Sequence, residues 1–200
     1  MTRRAIGTAL IAGALASGLV ALLLPQPSRS QAGGQTEQSA AAFATVATVL
    51  ASPRCQNCHT LTEFPRHGDD RHPHLFHVTR GSADQGAAGL PCSTCHGQSN
   101  NATSGVPGAA ETWRLAPVGM GWEGLSTTEL CHHLKDPQRN GHRSGADIID
   151  HLKSPLVMWS WSPGTDPHGR PRNAPAVAYP DFIKAAETWV STGAACSQVP

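Results

Sequence analysis

The sequence predicts a mostly α-helical domain of short helices joined by long loops, and three observations carry that expectation. Four stretches have helical spacing of apolar residues or a helix-start signature, and none alternates in the manner of a strand. Glycine (20) and proline (16) punctuate the 200 residues heavily, yet stay below the level that signals low-complexity disorder. The third observation is a pair of Cys-x-x-Cys-His pentapeptides, Cys55-Gln56-Asn57-Cys58-His59 and Cys92-Ser93-Thr94-Cys95-His96. A loop-rich chain of this size has little area to bury and needs a staple such as a metal, a cofactor or a disulfide.

Taken in order, residues 1–32 read as an export signal. Arg3 and Arg4 precede an uncharged apolar run over 5–24, and Ser30-Gln31-Ala32 fits the small-x-small rule for cleavage after Ala32. The domain then spans 33–200. A retained membrane anchor is the alternative, but the run is rich in Ala and Gly and weakly hydrophobic for a span. Residues 33–38 are expected to be a mobile polar tail. Residues 40–51 have Phe43, Val46, Val49 and Leu50 at helical intervals, and Pro53 closes the stretch just before the first pentapeptide. Residues 60–91 and 97–124 are long irregular connections, a kind that is usually functional.

Three better-marked helices follow. Ser126 and Glu129 form a capping box opening a helix over 130–135, which Asp136-Pro137 ends. Ser144 and Asp147 open a second over 148–153, stopped by Ser154-Pro155. A third, over 181–192, places Phe182, Ala185, Ala186, Trp189 and Val190 on one face and Gly193 at the C′ position.

In each pentapeptide the cysteines lie three apart, so on a helical turn both face one side and can each form a thioether with one vinyl group of the same porphyrin. The following histidine returns to that face and offers a nitrogen to the iron. The expected cofactors are therefore two covalently attached c-type haems, held by Cys55, Cys58, Cys92 and Cys95, with His59 and His96 as proximal ligands. The fold class sharpens to a cytochrome c-like dihaem domain, its short helices and long loops wrapped around two haems. A structural zinc site explains less: it gives no reason for a histidine after both pairs, and the interval between the pairs exceeds usual zinc-knuckle spacing. Two redox-active dithiols would be expected in a thioredoxin-like α/β chain.

Cys131 and Cys196 remain, and in an oxidising compartment they are expected to pair, closing a loop worth about 3 to 4 kcal/mol. Two free buried thiols are the alternative. For the sixth positions His151, at the edge of an apolar helix face, and His74, held behind Pro73, are the leading candidates. His72 and Met120 stand in reserve. His132, His142 and His168 are expected to be solvated, and His133 to sit at the core edge. Trp159 and Trp161 are expected to pack a pocket or the core. Asp69 and Asp70 read either as partners of a ligand imidazole or, more simply, as solvated loop charges.

The order of these features resembles a group of small bacterial dihaem cytochromes labelled as subunits of isoquinoline 1-oxidoreductase. The matching stretches are Ser52-Pro53-Arg54 with the first pentapeptide, Gly68-Asp69-Asp70 with His72-Pro73-His74, Arg80-Gly81, the second pentapeptide, Glu129-Leu130-Cys131, Leu134-Lys135-Asp136-Pro137, Asn140-Gly141, His151, Trp159-Ser160-Trp161-Ser162-Pro163-Gly164, and Gly193-Ala194-Ala195-Cys196. The resemblance implies a cytochrome that accepts electrons from a molybdenum-containing hydroxylase or aldehyde-oxidising enzyme. It also places His72, His74, His151, Cys131 and Cys196 within the shared pattern.

Removing residues 1–32 takes three arginines from fifteen basic residues, leaving twelve against fourteen acidic ones, a formal charge of about −2. That balance excludes the concentrated basic face needed for nucleic acid or anionic membranes. The expected function is electron transfer in the periplasm, without membrane insertion, from a dehydrogenase donor toward a respiratory-chain acceptor, the chain not itself being an enzyme. A dihaem peroxidase with an open sixth position and a zinc-stapled binding module are the alternatives.

Overall fold

A computed structural model describes residues 29–197, with side chains from Gly33 onward. The apolar run over 5–24 lies outside the described residues. Helix (41%) outweighs strand (7%), compatible with the mostly α class. The six α-helices of the described residues are α1 (Arg29–Leu50), α2 (Pro53–Gln56), α3 (Thr127–Lys135), α4 (Gly145–Leu152), α5 (Pro155–Met158) and α6 (Tyr179–Ser191).

The core lies between α1, α3, α4 and α6. Phe43, Val46, Val49 and Leu50 of α1 pack with Leu130, Cys131 and Leu134 of α3, Ile148, Ile149 and Leu152 of α4, and Phe182, Ala186 and Trp189 of α6. Phe43 and Trp189 meet at 4.9 Å between ring centroids. Burying aromatic and branched side chains at about 25 cal/mol per Å² of apolar area makes this cluster the main stabilising element. Ser39 Oγ is wholly buried beside it; it donates to the Trp189 carbonyl at 3.0 Å and accepts from the Ala195 amide at 2.9 Å.

The helix ends follow the local chemistry. Ser126 and Glu129 exchange both capping-box bonds, as do Ser144 and Asp147. Beyond α6 the Gly193 amide (φ +98°) donates to Val190 and the Ala194 amide to Trp189, a Schellman ending. Cys131 and Cys196 are disulfide-bonded across 65 residues, tying α3 to the segment after α6.

Three expectations are corrected. Residues 33–38 are helical, an extension of α1, because no proline or cap interrupts the chain between Arg29 and Leu50. Pro155 does end α4, but it also stands in the first turn of α5 with Ser154 as its cap, so one Ser-Pro pair closes one helix and opens the next. The long connections hold two antiparallel hairpins, β1 (Arg66–His67) with β2 (His72–Pro73) and β3 (Gly86–Ala87) with β4 (Leu90–Pro91). Two-residue strands are too short to show alternation.

Candidate functional site: twin Cys-x-x-Cys-His turns

The two pentapeptides fold alike. In the first, the amide of Cys58 donates to the Cys55 carbonyl at 3.2 Å and that of His59 at 3.0 Å; in the second, Cys95 and His96 donate to the Cys92 carbonyl at 3.2 and 3.0 Å. Proline precedes both turns, Pro53 in the first turn of α2 and Pro91 just before Cys92. Each places its cysteines and histidine on one turn, as joint attachment to one planar group requires.

The histidines are held in matching ways. The His59 Nδ1–H donates to the Met120 carbonyl at 2.8 Å, and the His96 Nδ1–H to the Pro107 carbonyl at 2.7 Å. A carbonyl only accepts, so both protons sit on Nδ1 and both Nε2 lone pairs are left for a metal. Trp122 lies flat on His59 at 3.5 Å and 7°, and Trp113 on His96 at 4.0 Å and 9°. Burial, opposed by the Met120 carbonyl and helped by the nearby charges of His151, Arg143 and His133, pushes His59 down to about 3. Burial lowers His96 as well. Both rings are therefore neutral at physiological pH, the form that ligates.

The thiols carry a second message. Dense surroundings push Cys55 up to about 12 and Cys58 up to about 11, and burial raises Cys92. Redox-active dithiols need the opposite shift. Among the described residues no three His, Cys, Asp or Glu side chains converge on a metal-sized point.

His74 and His151 lie near different turns. The His74 ring centroid lies 6.2 Å from that of His96, with planes at 58°. Two imidazoles on opposite sides of one iron, with bonds of about 2 Å each and about 1 Å from nitrogen to ring centre, sit about 6 Å apart. His74 Nδ1–H donates to the Leu75 carbonyl at 2.9 Å, again freeing Nε2. His151, half-buried on α4, stands near enough to His59 for its charge to depress that ring. Of the reserves, His72 has its Nδ1 on Asp70 at 2.6 Å, which leaves its Nε2 free as in His74, and its ring stands 5.4 Å from that of His67. Met120 has its main chain behind His59, on the side away from Nε2.

Three large apolar side chains stay exposed close in sequence to these histidines, Leu61, Leu75 and Phe76, and a fourth, Val118, lies two residues before the Met120 whose carbonyl binds His59. From the irregular segment 60–124, only Trp122 joins the main core. A donor set of two thiols and a neutral imidazole per turn, bordered by uncovered apolar side chains, fits two haems.

Sequence reasoning missed several participants. Trp113 and Trp122 were passed over because nothing local marks a stacking partner 17 or 63 positions away. Asp69 is no free charge: it binds the Arg54 guanidinium at 2.6 Å, with the Arg54 side chain 2% exposed, and accepts from the Asn173 amide at 3.1 Å. His133, expected as a satisfied residue at the core edge, is buried, but neither ring nitrogen makes a hydrogen bond of normal geometry, although the carbonyls of Gly119 and Arg139 lie nearby. Trp161 packs on Phe182 and donates to the Val177 carbonyl, in keeping with a core role.

Glu123, next to Trp122, is a hub. It accepts from the Leu61 amide at 2.6 Å, from Thr60 Oγ1 at 3.0 Å and from Arg71. Burial pushes its carboxyl up, but these donors outweigh it and hold the group below the usual range. The stabilisation is therefore present above the ordinary carboxylate pKa and is lost as pH falls through the lower folded value. Glu123→Gln is expected to lose about 1 to 3 kcal/mol in urea unfolding at pH 7 and to show a flatter stability profile under acid. Equal acid sensitivity in both proteins would remove Glu123 from this account.

Comparison with protein families, curated proteins and solved structures finds no match for this chain.

Proposed function

We propose that this chain is an exported dihaem c-type cytochrome that carries electrons between protein partners outside the cytoplasm. The observation that carries the reading is the duplication: two turns of the same backbone form, each presenting two thiols and an imidazole with Nδ1 tied to a carbonyl and Nε2 free. Cys55 and Cys58 with His59 would hold one haem, and Cys92 and Cys95 with His96 the other. His151 and His74 would complete their coordination. Bound haem supplies the one-electron iron couple.

The chain's own residues set the conditions. The Nδ1 hydrogen bonds orient both imidazoles and raise their basicity. Trp113 and Trp122 exclude water from one ring face. A second imidazole near each turn favours closed six-coordinate sites over an open peroxidase-like position. The Cys131–Cys196 disulfide favours an oxidising compartment, in line with the export signal expected at 1–32. Among the described residues no helix is long and apolar enough to cross a membrane. By the resemblance, the donor is a molybdenum-containing hydroxylase or aldehyde oxidase and the acceptor belongs to the respiratory chain.

The test is haem stoichiometry. Purified from an exporting host with haem-attachment machinery, the chain is expected to carry two haems that survive acid-acetone extraction. The Cys55→Ser/Cys58→Ser and Cys92→Ser/Cys95→Ser variants should each retain one. A native chain containing zinc, or no covalent haem, overturns the proposal.

A further inference from the structure

Between the cysteines, the two turns differ. In the second, Ser93 and Thr94 are exposed, and their side chains enter no hydrogen bond among the described residues. In the first, Asn57 is 7% exposed, and both it and Gln56 are bonded to the β1–β2 hairpin. Asn57 Nδ2 donates to the Gly68 carbonyl at 2.9 Å, and the Asn57 carbonyl accepts from the Arg66 amide at 2.9 Å. Arg71 donates to Gln56 Oε1 at 2.8 Å and to the Gln56 carbonyl at 3.2 Å. Arg54, just before Cys55, holds Asp69 in the same loop.

That hairpin carries His74. The His74 amide donates to the Pro65 carbonyl at 2.9 Å, closing the hairpin so that the ring emerges directly from its end toward His96. The tip favours glycine at 68, where φ is +72° and a Cβ would meet the side-chain ends of Asp70 and His72 at 2.7 and 2.8 Å. The imidazole facing the second turn is thus held by residues of the first.

We infer that Gln56 and Asn57, the two residues between the cysteines of the first turn, are positioning residues for the distal imidazole His74 of the second haem, so that one site's attachment turn sets the other site's ligation. The inference rests on the dihaem reading and on His74 as a sixth ligand. The juxtaposition is Asn57 Nδ2 on the Gly68 carbonyl and Gln56 Oε1 on Arg71. An imidazole must be held to within about 0.5 Å to ligate well, and a loop gains that precision from fixed supports.

The experiment uses the full chain carrying both haems and reads ferric spin state by electron paramagnetic resonance and visible spectra. His74→Ala is the reference, expected to convert one haem of the two from low to high spin. The Cys92→Ser/Cys95→Ser variant identifies which haem that is. Asn57→Leu and, outside the pentapeptide, Arg71→Met are expected to give the same high-spin signal at the same haem, with both haems still attached. Gln56→Glu keeps an acceptor for Arg71 and should retain the native spectrum. If Asn57→Leu impairs attachment itself, Arg71→Met decides. Two attached low-spin haems in Asn57→Leu and Arg71→Met, or a change at the first haem only, overturn the inference and leave the dihaem reading intact. A low-spin spectrum in His74→Ala ends it by removing the ligand. Absence of covalent haem from the native chain overturns the reading beneath it.

Discussion

Arg80→Met is expected to destabilise the chain by about 3 to 5 kcal/mol, the cost of breaking a buried charged network from one side. The residue is 4% exposed and sits between β2 and β3 in sequence, yet it joins two distant segments to its own loop. Its guanidinium donates to the carbonyls of Thr60 and Thr62, just past His59; to Ala116, near Trp113; and to Asp84. Methionine fills much of the volume but leaves those three carbonyls and the Asp84 carboxylate without their donor. Arg80→Lys keeps the charge without the fork and should fall between the two. Urea unfolding monitored by circular dichroism measures the loss; a change below about 1 kcal/mol for Arg80→Met would mean that water replaces the guanidinium without cost.

Replacing Cys131 and Cys196 together by alanine is expected to cost about 3 to 4 kcal/mol, chiefly by freeing the unfolded chain from a loop constraint. The bond closes 65 residues, and Cys131 is wholly buried against the α1 and α6 core. Removing it also releases the segment whose Ala195 amide and carbonyl bind Ser39 and Trp189. The loss should appear as a lower urea midpoint with a steeper slope, since the uncrosslinked unfolded chain exposes more surface, and reductant should produce it in the native chain but not in the double variant. A native chain unaffected by reductant under denaturing conditions would count against the bond.

How much of this was legible in the sequence depended on how local the signal was. The helix starts at Ser126 and Ser144, the Gly193 ending and the apolar spacing of α1 and α6 are set by residues within one or two turns, and they were read correctly. The Cys131–Cys196 bond was reached by elimination. The helical extension over 33–38 and α5 were missed because polarity and proline were read as stops, while the backbone treats Pro155 as a start. In the site, the two turns and the choice of His74 and His151 came from motif and position. What holds them came from elsewhere: Trp122 is 63 residues from His59, Arg80 bridges three segments, and the Arg54–Asp69 pair spans 15. Such contacts are fixed by tertiary packing, and no periodicity announces them.

The protonated, crowded thiols of Cys55 and Cys58 also bear on the order of assembly. A thiol held near 11 or 12 presents almost no thiolate at neutral pH. In the folded chain these sulfurs are slow to add across a vinyl group and equally slow to oxidise or exchange. On the dihaem reading, attachment therefore belongs to the open chain soon after export, and the core of α1, α3, α4 and α6 closes afterward. By the time the fold closes, these sulfurs are already spent as thioethers, so the crowding around them seals a finished bond and has no free thiol to guard.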